Sequence, residues 1–183
     1  ESQPLDWVVI SAENVDGVGV VSSMCRMCGQ TATENKEIDR LVTNEEWDSA
    51  LEKSKFDNVT VGFTQNDGGK LYEAIYRISD GKVREEILKN GVPSLFKITD
   101  TESSEGRNYV INTLAPFVDT FGGFEFDGDN GVYFYQRTED DGSLTSFTFS
   151  FEFKRLTYFK ATSNDGAYTV ELSFSNYGKT LAE

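Results

Sequence analysis

The side chains of this sequence best suited to chemistry are two cysteines, in the segment Cys25-Arg26-Met27-Cys28-Gly29. Two cysteines separated by two residues and followed by glycine are typical of a zinc knuckle or a redox pair. A structural zinc site takes four ligands, and this chain contains two cysteines and no histidine, so one chain supplies half of such a site. A redox pair normally begins a helix within a βαβ unit, whereas this pair follows short predicted strands. The pattern favours a local disulfide or a vestigial knuckle, with a metal site at Cys25 and Cys28 shared between two chains as an alternative.

Clustered acidic residues are a second candidate site, in the segment Asp127-Gly128-Asp129-Asn130-Gly131. Carboxylate and amide oxygens in alternation are ligands that Ca²⁺ prefers. An EF-hand loop requires glycine at its sixth position and glutamate at its twelfth, but here Gly131 is fifth and Thr138 is twelfth. The same residue types favour a hairpin turn, and the turn is the interpretation that we prefer.

Catalysis by a histidine is excluded because the chain has none, which removes the commonest general base and metal ligand. Glu85 and Glu86 are adjacent in a predicted strand, so their carboxylates point to opposite faces and cannot flank one glycosidic bond. The sequence also has no glycine-rich phosphate loop, nucleophile elbow or metalloprotease motif. We predict a non-enzymatic protein without a cofactor.

Charge and hydropathy limit the partners. The chain of 183 residues has 31 acidic and 17 basic residues, a formal net charge of −14, which disfavours nucleic acid and anionic membranes. The sequence contains no run of 18 apolar residues, so it predicts no transmembrane segment. The first residue, Glu1, is not methionine, which fits a processed or truncated secretory product. We expect an extracellular or cell-surface location.

The elements that must position these residues are organised around aromatic strands between Val132 and Tyr177. Apolar and polar residues alternate there, which places one set on each face of a sheet. The apolar members of two strands are Phe147, Phe149, Phe151 and Phe153 in one, and Tyr168, Val170, Leu172 and Phe174 in the other.

Two helices are predicted to cover the apolar face of this sheet. Thr43 and Glu46 form a capping box at the start of the first helix, and Trp47 begins its apolar stripe. The second helix lies between Arg107 and Phe121, and Pro116 is expected to break it into two pieces or restart it.

The remaining segments complete an α+β fold. Strands near residues 6–10 and 18–21 form a hairpin, and residues 30–40 read as a linker. Asp-Gly and Asn-Gly pairs predict further hairpins, giving about eight antiparallel strands. We predict an N-terminal unit of residues 1–40, a small Cys-x-x-Cys appendage, and a domain of residues 41–183 in which a curled, open half-barrel wraps around two helices.

The order of these elements resembles a known group. It runs from the Trp47 helix through Asn58-Val59-Thr60 to the closing segment Phe174-Ser175-Asn176-Tyr177-Gly178. This order resembles the LolA, LppX and LprG group of extracytoplasmic proteins and lipoproteins, and surface proteins of anaerobic Firmicutes. The resemblance covers residues 43–180. It implies an apolar cavity between sheet and helices that holds an acyl chain or a lipid-like ligand.

Two functions follow as hypotheses. The first is a carrier or binding module for an apolar ligand or lipid, and the second is a structural subunit of a surface assembly that pairs through N-terminal strands or sheet edges. The alternative use of the aromatic stripe is a solid core. The predicted cavity residues are Trp47, Phe117, Phe149, Phe151, Tyr158, Leu172 and Phe174.

Overall fold

The computed structural model describes residues 7–182, so the predicted start of the first strand at residue 6 lies outside the described residues. These residues form an α+β fold with two α-helices and antiparallel sheets. The helices are α1 (Asn44–Leu51) and α2 (Glu105–Leu114). The strands are β1 (Trp7–Val15), β2 (Val18–Cys25), β3 (Thr31–Lys36), β4 (Val59–Asp67), β5 (Lys70–Ser79), β6 (Lys82–Lys89), β7 (Val92–Asp100), β8 (Glu125–Asp127), β9 (Val132–Thr138), β10 (Leu144–Glu152), β11 (Arg155–Ser163) and β12 (Tyr168–Ser175).

The first three strands form a small sheet in the order β1-β2-β3. The prediction of a linker over residues 30–40 was wrong in part, because β3 pairs with β2 from Thr31 to Lys36. Every residue of β3 is exposed, so the strand needs no apolar alternation and gives no signal of period two. A separate Cys-x-x-Cys appendage is not confirmed: Cys25 ends β2, and Cys28 lies in the turn that leads to β3.

The other nine strands form one open sheet in the order β7-β6-β5-β4-β12-β11-β10-β9-β8. Adjacent strands pair antiparallel throughout. The predicted alternation is confirmed in β10, where Phe147, Phe149 and Phe151 are buried and the residues between them are less so. Phe153 does not continue this stripe, since it lies in the turn after β10 with a φ of +48°.

The capping box of α1 is confirmed. Thr43 Oγ1 accepts a hydrogen bond from the backbone N–H of Glu46 at 3.3 Å, and the Glu46 carboxylate accepts one from the N–H of Thr43 at 2.8 Å. Trp47, Ala50 and Leu51 are buried, so the predicted stripe faces the core.

The predicted break of the second helix near Pro116 is confirmed. After α2, residues Ala115–Phe117 form one turn of 3₁₀ helix with the proline in its first turn, where a missing N–H costs least. Near the start of α2, Gly106 lies against Tyr76 of β5. A Cβ at Gly106 would lie 2.3 Å from the Tyr76 ring, so the glycine permits the close approach of helix and sheet.

The turn between β10 and β11 connects the small sheet to the large one. Phe153 and Lys154 have φ values of +48° and +65°, unusual for non-glycine residues. The N–H of Phe153 donates to the carbonyl of Asp39 at 2.8 Å, and Lys154 Nζ lies 2.9 Å from the Asp39 carboxylate. The ring of Phe153 also packs against Gly19 of β2.

Candidate functional site

Six of the seven predicted cavity residues lie together in one core. These six are Trp47, Phe117, Phe149, Phe151, Leu172 and Phe174. The ring of Trp47 lies 4.8 Å from that of Phe149 and 5.2 Å from that of Phe151, and Phe117 lies 5.2 Å from Phe149. Aromatic pairs at these distances are in contact, so the rings of the chain itself occupy the space between α1 and the sheet.

The seventh residue, Tyr158, lies on the opposite face of the sheet. It pairs with Ser150 of β10 and Ser173 of β12, whereas its neighbour Phe159 is buried in the core. A bulge between Ser150 and Phe151 changes the register next to it. Partial burial, together with the nearby Glu171 carboxylate, raises the pKa of Tyr158 to about 12.

The two cysteines differ in exposure. Cys25 is fully buried, Cys28 is exposed, and both are thiols in this structure. The turn between them is closed by a 2.8 Å hydrogen bond from the N–H of Gly29 to the carbonyl of Cys25. Among residues 7–182, no group of three or more Cys, Asp or Glu side chains is arranged to hold a metal ion.

The Asp127 segment is a hydrogen-bonded turn. The Asp127 carboxylate accepts bonds from the backbone N–H groups of Asp129 and Asn130 and from the side-chain amide of Asn130. These bonds lower the pKa of Asp127, the side-chain amide of Asn130 contributing most. The carboxylate oxygens are thus used within the turn that joins β8 to β9.

Glu85 and Glu86 point to opposite faces of β6 and have separate partners. Glu85 is bound by the Tyr72 hydroxyl at 3.2 Å and by Lys97 Nζ at 3.1 Å. Glu86 pairs with Arg77 and with Arg84. The two carboxylates are therefore not placed to act on one bond.

The most unusual surface of the described chain is the edge strand β7. It is the terminal strand of the nine-stranded sheet, so one row of its backbone groups has no neighbouring strand. Its apolar side chains are exposed on both faces: Val92 by 64%, Leu95 by 67%, Phe96 by 64% and Ile98 by 47%. Natural proteins usually protect long apolar edge strands, because such edges pair with other chains.

The β6–β7 hairpin also differs from the rest of the chain in charge. Residues 82–100 contain four basic and three acidic side chains, whereas the whole chain has a net charge of −14. The guanidinium of Arg84 lies 4.6 Å from the centre of the Phe96 ring, a cation–π contact that orients the ring. An apolar edge within a nearly neutral segment is a suitable surface for association.

A second apolar edge is β1, at the border of the small sheet. Val9 is exposed by 63% and Ile10 by 52%, and Trp7 is partly exposed. The sequence predicted that N-terminal strands or sheet edges were available for pairing, but not that β7 was an edge. No local signal marks this edge, because apolar residues on both faces of a strand, as in Leu95-Phe96-Lys97-Ile98, are equally typical of a central buried strand.

Comparison of the chain with models of known protein families gives no match, and neither does comparison with curated proteins. No helix formed by residues 7–182 has the length and apolarity to cross a membrane.

Proposed function

We propose that this protein is a non-enzymatic, extracytoplasmic interaction module that assembles through sheet edges, and that β7 pairs with β7 of a second copy. The observation that carries the proposal is the exposure of apolar side chains on both faces of this edge strand. Burying them on association removes apolar surface from water, which contributes roughly 25 cal/mol per Å². The unpaired backbone groups of the edge gain hydrogen-bond partners in the same step.

A second copy of the chain is a suitable partner, because β7 is self-complementary in one antiparallel register. An antiparallel pair around a two-fold axis at Phe96 places Phe96 against its own copy and Leu95 against Lys97, whose methylene stem is apolar. A register centred on Lys97 would instead place two ammonium groups opposite each other, which is unfavourable. Pro93 has no backbone N–H, so we expect pairing to stop at Ser94.

The charge distribution also favours a second copy of the chain as the partner of β7. Two copies that each carry a net charge of −14 repel each other at most orientations. The β6–β7 hairpin is nearly neutral, so contact through this edge keeps the acidic surfaces apart and costs less electrostatic free energy. The association is therefore expected to strengthen as salt screens the remaining repulsion.

The experiment is sedimentation equilibrium of the wild type and of Phe96→Lys. The wild type should form a dimer, and the variant should raise the dimer dissociation constant by at least tenfold, because the edge then carries a charge at its centre. Leu71→Lys is the matched control: Leu71 is similarly exposed, at 62%, but β5 has a paired neighbour on each side. A wild type that stays monomeric, or a dimer unaffected by Phe96→Lys, would overturn the proposal.

The N-terminal strands provide the competing edge. If Ile10→Lys abolishes association and Phe96→Lys does not, the assembly uses β1 and the assignment to β7 is wrong. Both residues are exposed, so neither substitution disturbs the core.

The carrier function that the resemblance implies is the second candidate. The observation that favours it is a core that lies on one face of the large sheet beneath both helices, an arrangement that a LolA-like half-barrel would have. Native mass spectrometry of protein purified from its source tests it. A stoichiometric lipid-sized adduct that is lost on denaturation would support a carrier, and Phe151→Arg should then abolish uptake; an adduct-free chain would argue against it.

A further inference from the structure

A cleft lined by tyrosines opens on the core face of the large sheet, beside the start of α2. Its volume is about 310 Å³, at the lower end of the range for small-molecule sites. Gly106 at the start of α2 lies against Tyr76 of β5, so the helix borders the cleft on one side. The cleft is lined by Phe63, Gln65, Tyr72, Tyr76, Glu85, Lys97, Glu105, Gly106 and Tyr109.

The apolar part of the cleft is an aromatic platform. Phe63 is buried at its centre, with the ring of Tyr72 at 5.7 Å and that of Tyr109 at 5.3 Å, both edge-on to it. Tyr72 and Tyr109 are each 39% exposed. Buried tyrosines of a solid core keep their rings covered, whereas these two present ring surface to the solvent next to an ordered polar group.

The polar part is a fixed network next to these rings. The Glu85 side chain is only 10% exposed and is held by the Tyr72 hydroxyl and by Lys97 Nζ, at 3.2 Å and 3.1 Å. Gln65 and Glu105 complete the rim. Hydroxyl, amide, ammonium and carboxylate groups together offer both donors and acceptors within the space of one or two sugar rings.

We propose that this cleft binds a neutral saccharide of one or two pyranose rings. The apolar C–H face of a pyranose packs against exposed aromatic rings such as Tyr72 and Tyr109. Its hydroxyl groups exchange hydrogen bonds with Lys97, Glu85 and Gln65. A wholly apolar ligand would displace water from the Gln65 amide and the Lys97 ammonium without offering hydrogen bonds in its place.

The charge of the cleft selects against other small ligands. An anionic sugar would be repelled by the Glu105 carboxylate and by the electrostatic field of a chain with a net charge of −14. An organic cation such as choline is disfavoured because Lys97 already occupies the Glu85 carboxylate. The neutral saccharide is the ligand that uses the aromatic and the polar groups together.

The test is calorimetric titration of the wild-type chain with maltose, cellobiose and N,N′-diacetylchitobiose, with choline and glucuronate as charged comparisons. At least one neutral disaccharide should bind with a dissociation constant near or below about 1 mM. Tyr109→Ala and Lys97→Met should each weaken that binding at least about fivefold, since one removes ring surface and the other a donor. Tyr109 is exposed, and Glu85 keeps its hydrogen bond from Tyr72 when Lys97 is replaced, so both variants should fold, which circular dichroism verifies.

The matched control is Tyr158→Ala, which removes a half-buried tyrosine from the opposite face of the sheet and should leave the affinity unchanged. The proposal is overturned if none of the three disaccharides binds at about 10 mM, if choline or glucuronate binds instead, or if Tyr109→Ala and Lys97→Met bind as tightly as the wild type.

Discussion

The indole Nε1–H of Trp47 donates a 2.9 Å hydrogen bond to the carbonyl oxygen of Phe117. This bond joins α1 to the 3₁₀ turn that follows α2, and the rings of Trp47 and Phe117 both pack against Phe149 of β10. The same carbonyl also accepts a bond from the Thr120 hydroxyl at 2.6 Å. One buried side chain thus fixes the positions of both helical segments on the sheet.

Replacing this residue tests how tightly the core is packed. Trp47→Phe should lower the free energy of unfolding by about 2–4 kcal/mol, because it leaves a cavity among surrounding rings and removes a buried hydrogen bond. The remaining bond from Thr120 keeps the Phe117 carbonyl satisfied, so most of the loss should come from packing. Urea denaturation followed by circular dichroism measures it. A loss below about 1 kcal/mol would mean that the space around Trp47 is not filled.

The approach of α2 to the sheet makes a second prediction. Gly106→Ala should lower the free energy of unfolding by about 1–3 kcal/mol, because the new methyl group overlaps the Tyr76 ring. Gly122→Ala is the control, since a Cβ there meets no atom within 4 Å. Urea denaturation of the two variants should separate them, and equal stability would show that α2 shifts freely.

Local sequence signals predicted much of the fold because each has a local physical cause. The capping box of Thr43 and Glu46 was confirmed since its two hydrogen bonds span only four residues. Likewise, the turn at Asp80-Gly81 was confirmed because both residues adopt positive φ. The break at Pro116 was predictable from its missing N–H.

The features that sequence reasoning missed depend on distant neighbours. The sequence places Tyr158 among the predicted cavity residues, but a bulge opposite it and the turn at Phe153-Lys154 set which face it occupies. The edge position of β7 follows from the strand order of the whole sheet, which no local pattern encodes. The tyrosine cleft also requires α2 to lie beside β5, and these segments are separated in sequence.

The ion pair between Arg107 and Asp57 makes a third prediction. Arg107 Nη2 lies 2.5 Å from Asp57 Oδ1; the Arg107 side chain is 4% exposed and that of Asp57 is 62% exposed. Asp57→Asn should lower the free energy of unfolding by about 1–3 kcal/mol, because it leaves a buried guanidinium without a counter-charge. Arg107→Met should cost less, because it removes the buried charge and keeps the apolar stem.

Chemical denaturation of both single variants and the double variant at low salt provides the comparison. The double variant should be no less stable than Asp57→Asn alone. If Arg107→Met proves the more damaging change, the guanidinium contributes through packing rather than charge.

The pH dependence of the α1 cap is a fourth prediction. The hydrogen bond from the N–H of Thr43, with help from Lys154, lowers the pKa of Glu46 below its ordinary value of 4.5. A carboxylate whose pKa is lowered in the folded state stabilises the fold fully at pH values above its unfolded-state pKa. This stabilisation is lost as the pH falls through the folded-state pKa. Glu46→Gln should therefore cost about 0.3–1 kcal/mol near pH 7 and much less near pH 3.

Thermal unfolding of the two proteins across this pH range measures the difference. Glu45→Gln changes the same charge in the same helical turn but removes no bond to Thr43, so its cost should be smaller at neutral pH. A pH-independent difference for Glu46→Gln would contradict the assignment.

The unequal exposure of the two cysteines makes the fifth prediction, which separates the hypotheses for their role. In the reduced native protein, Ellman's reagent should react rapidly with one thiol per chain, Cys28, and with Cys25 only after denaturation, because Cys25 is fully buried. Cys28→Ser should abolish the rapid phase, and Cys25→Ser should retain it. Zinc held between two chains would instead protect Cys28 until a chelator is added. A local disulfide would leave neither thiol reactive before reduction. The same titration therefore distinguishes free thiols, a zinc site and a disulfide at this turn.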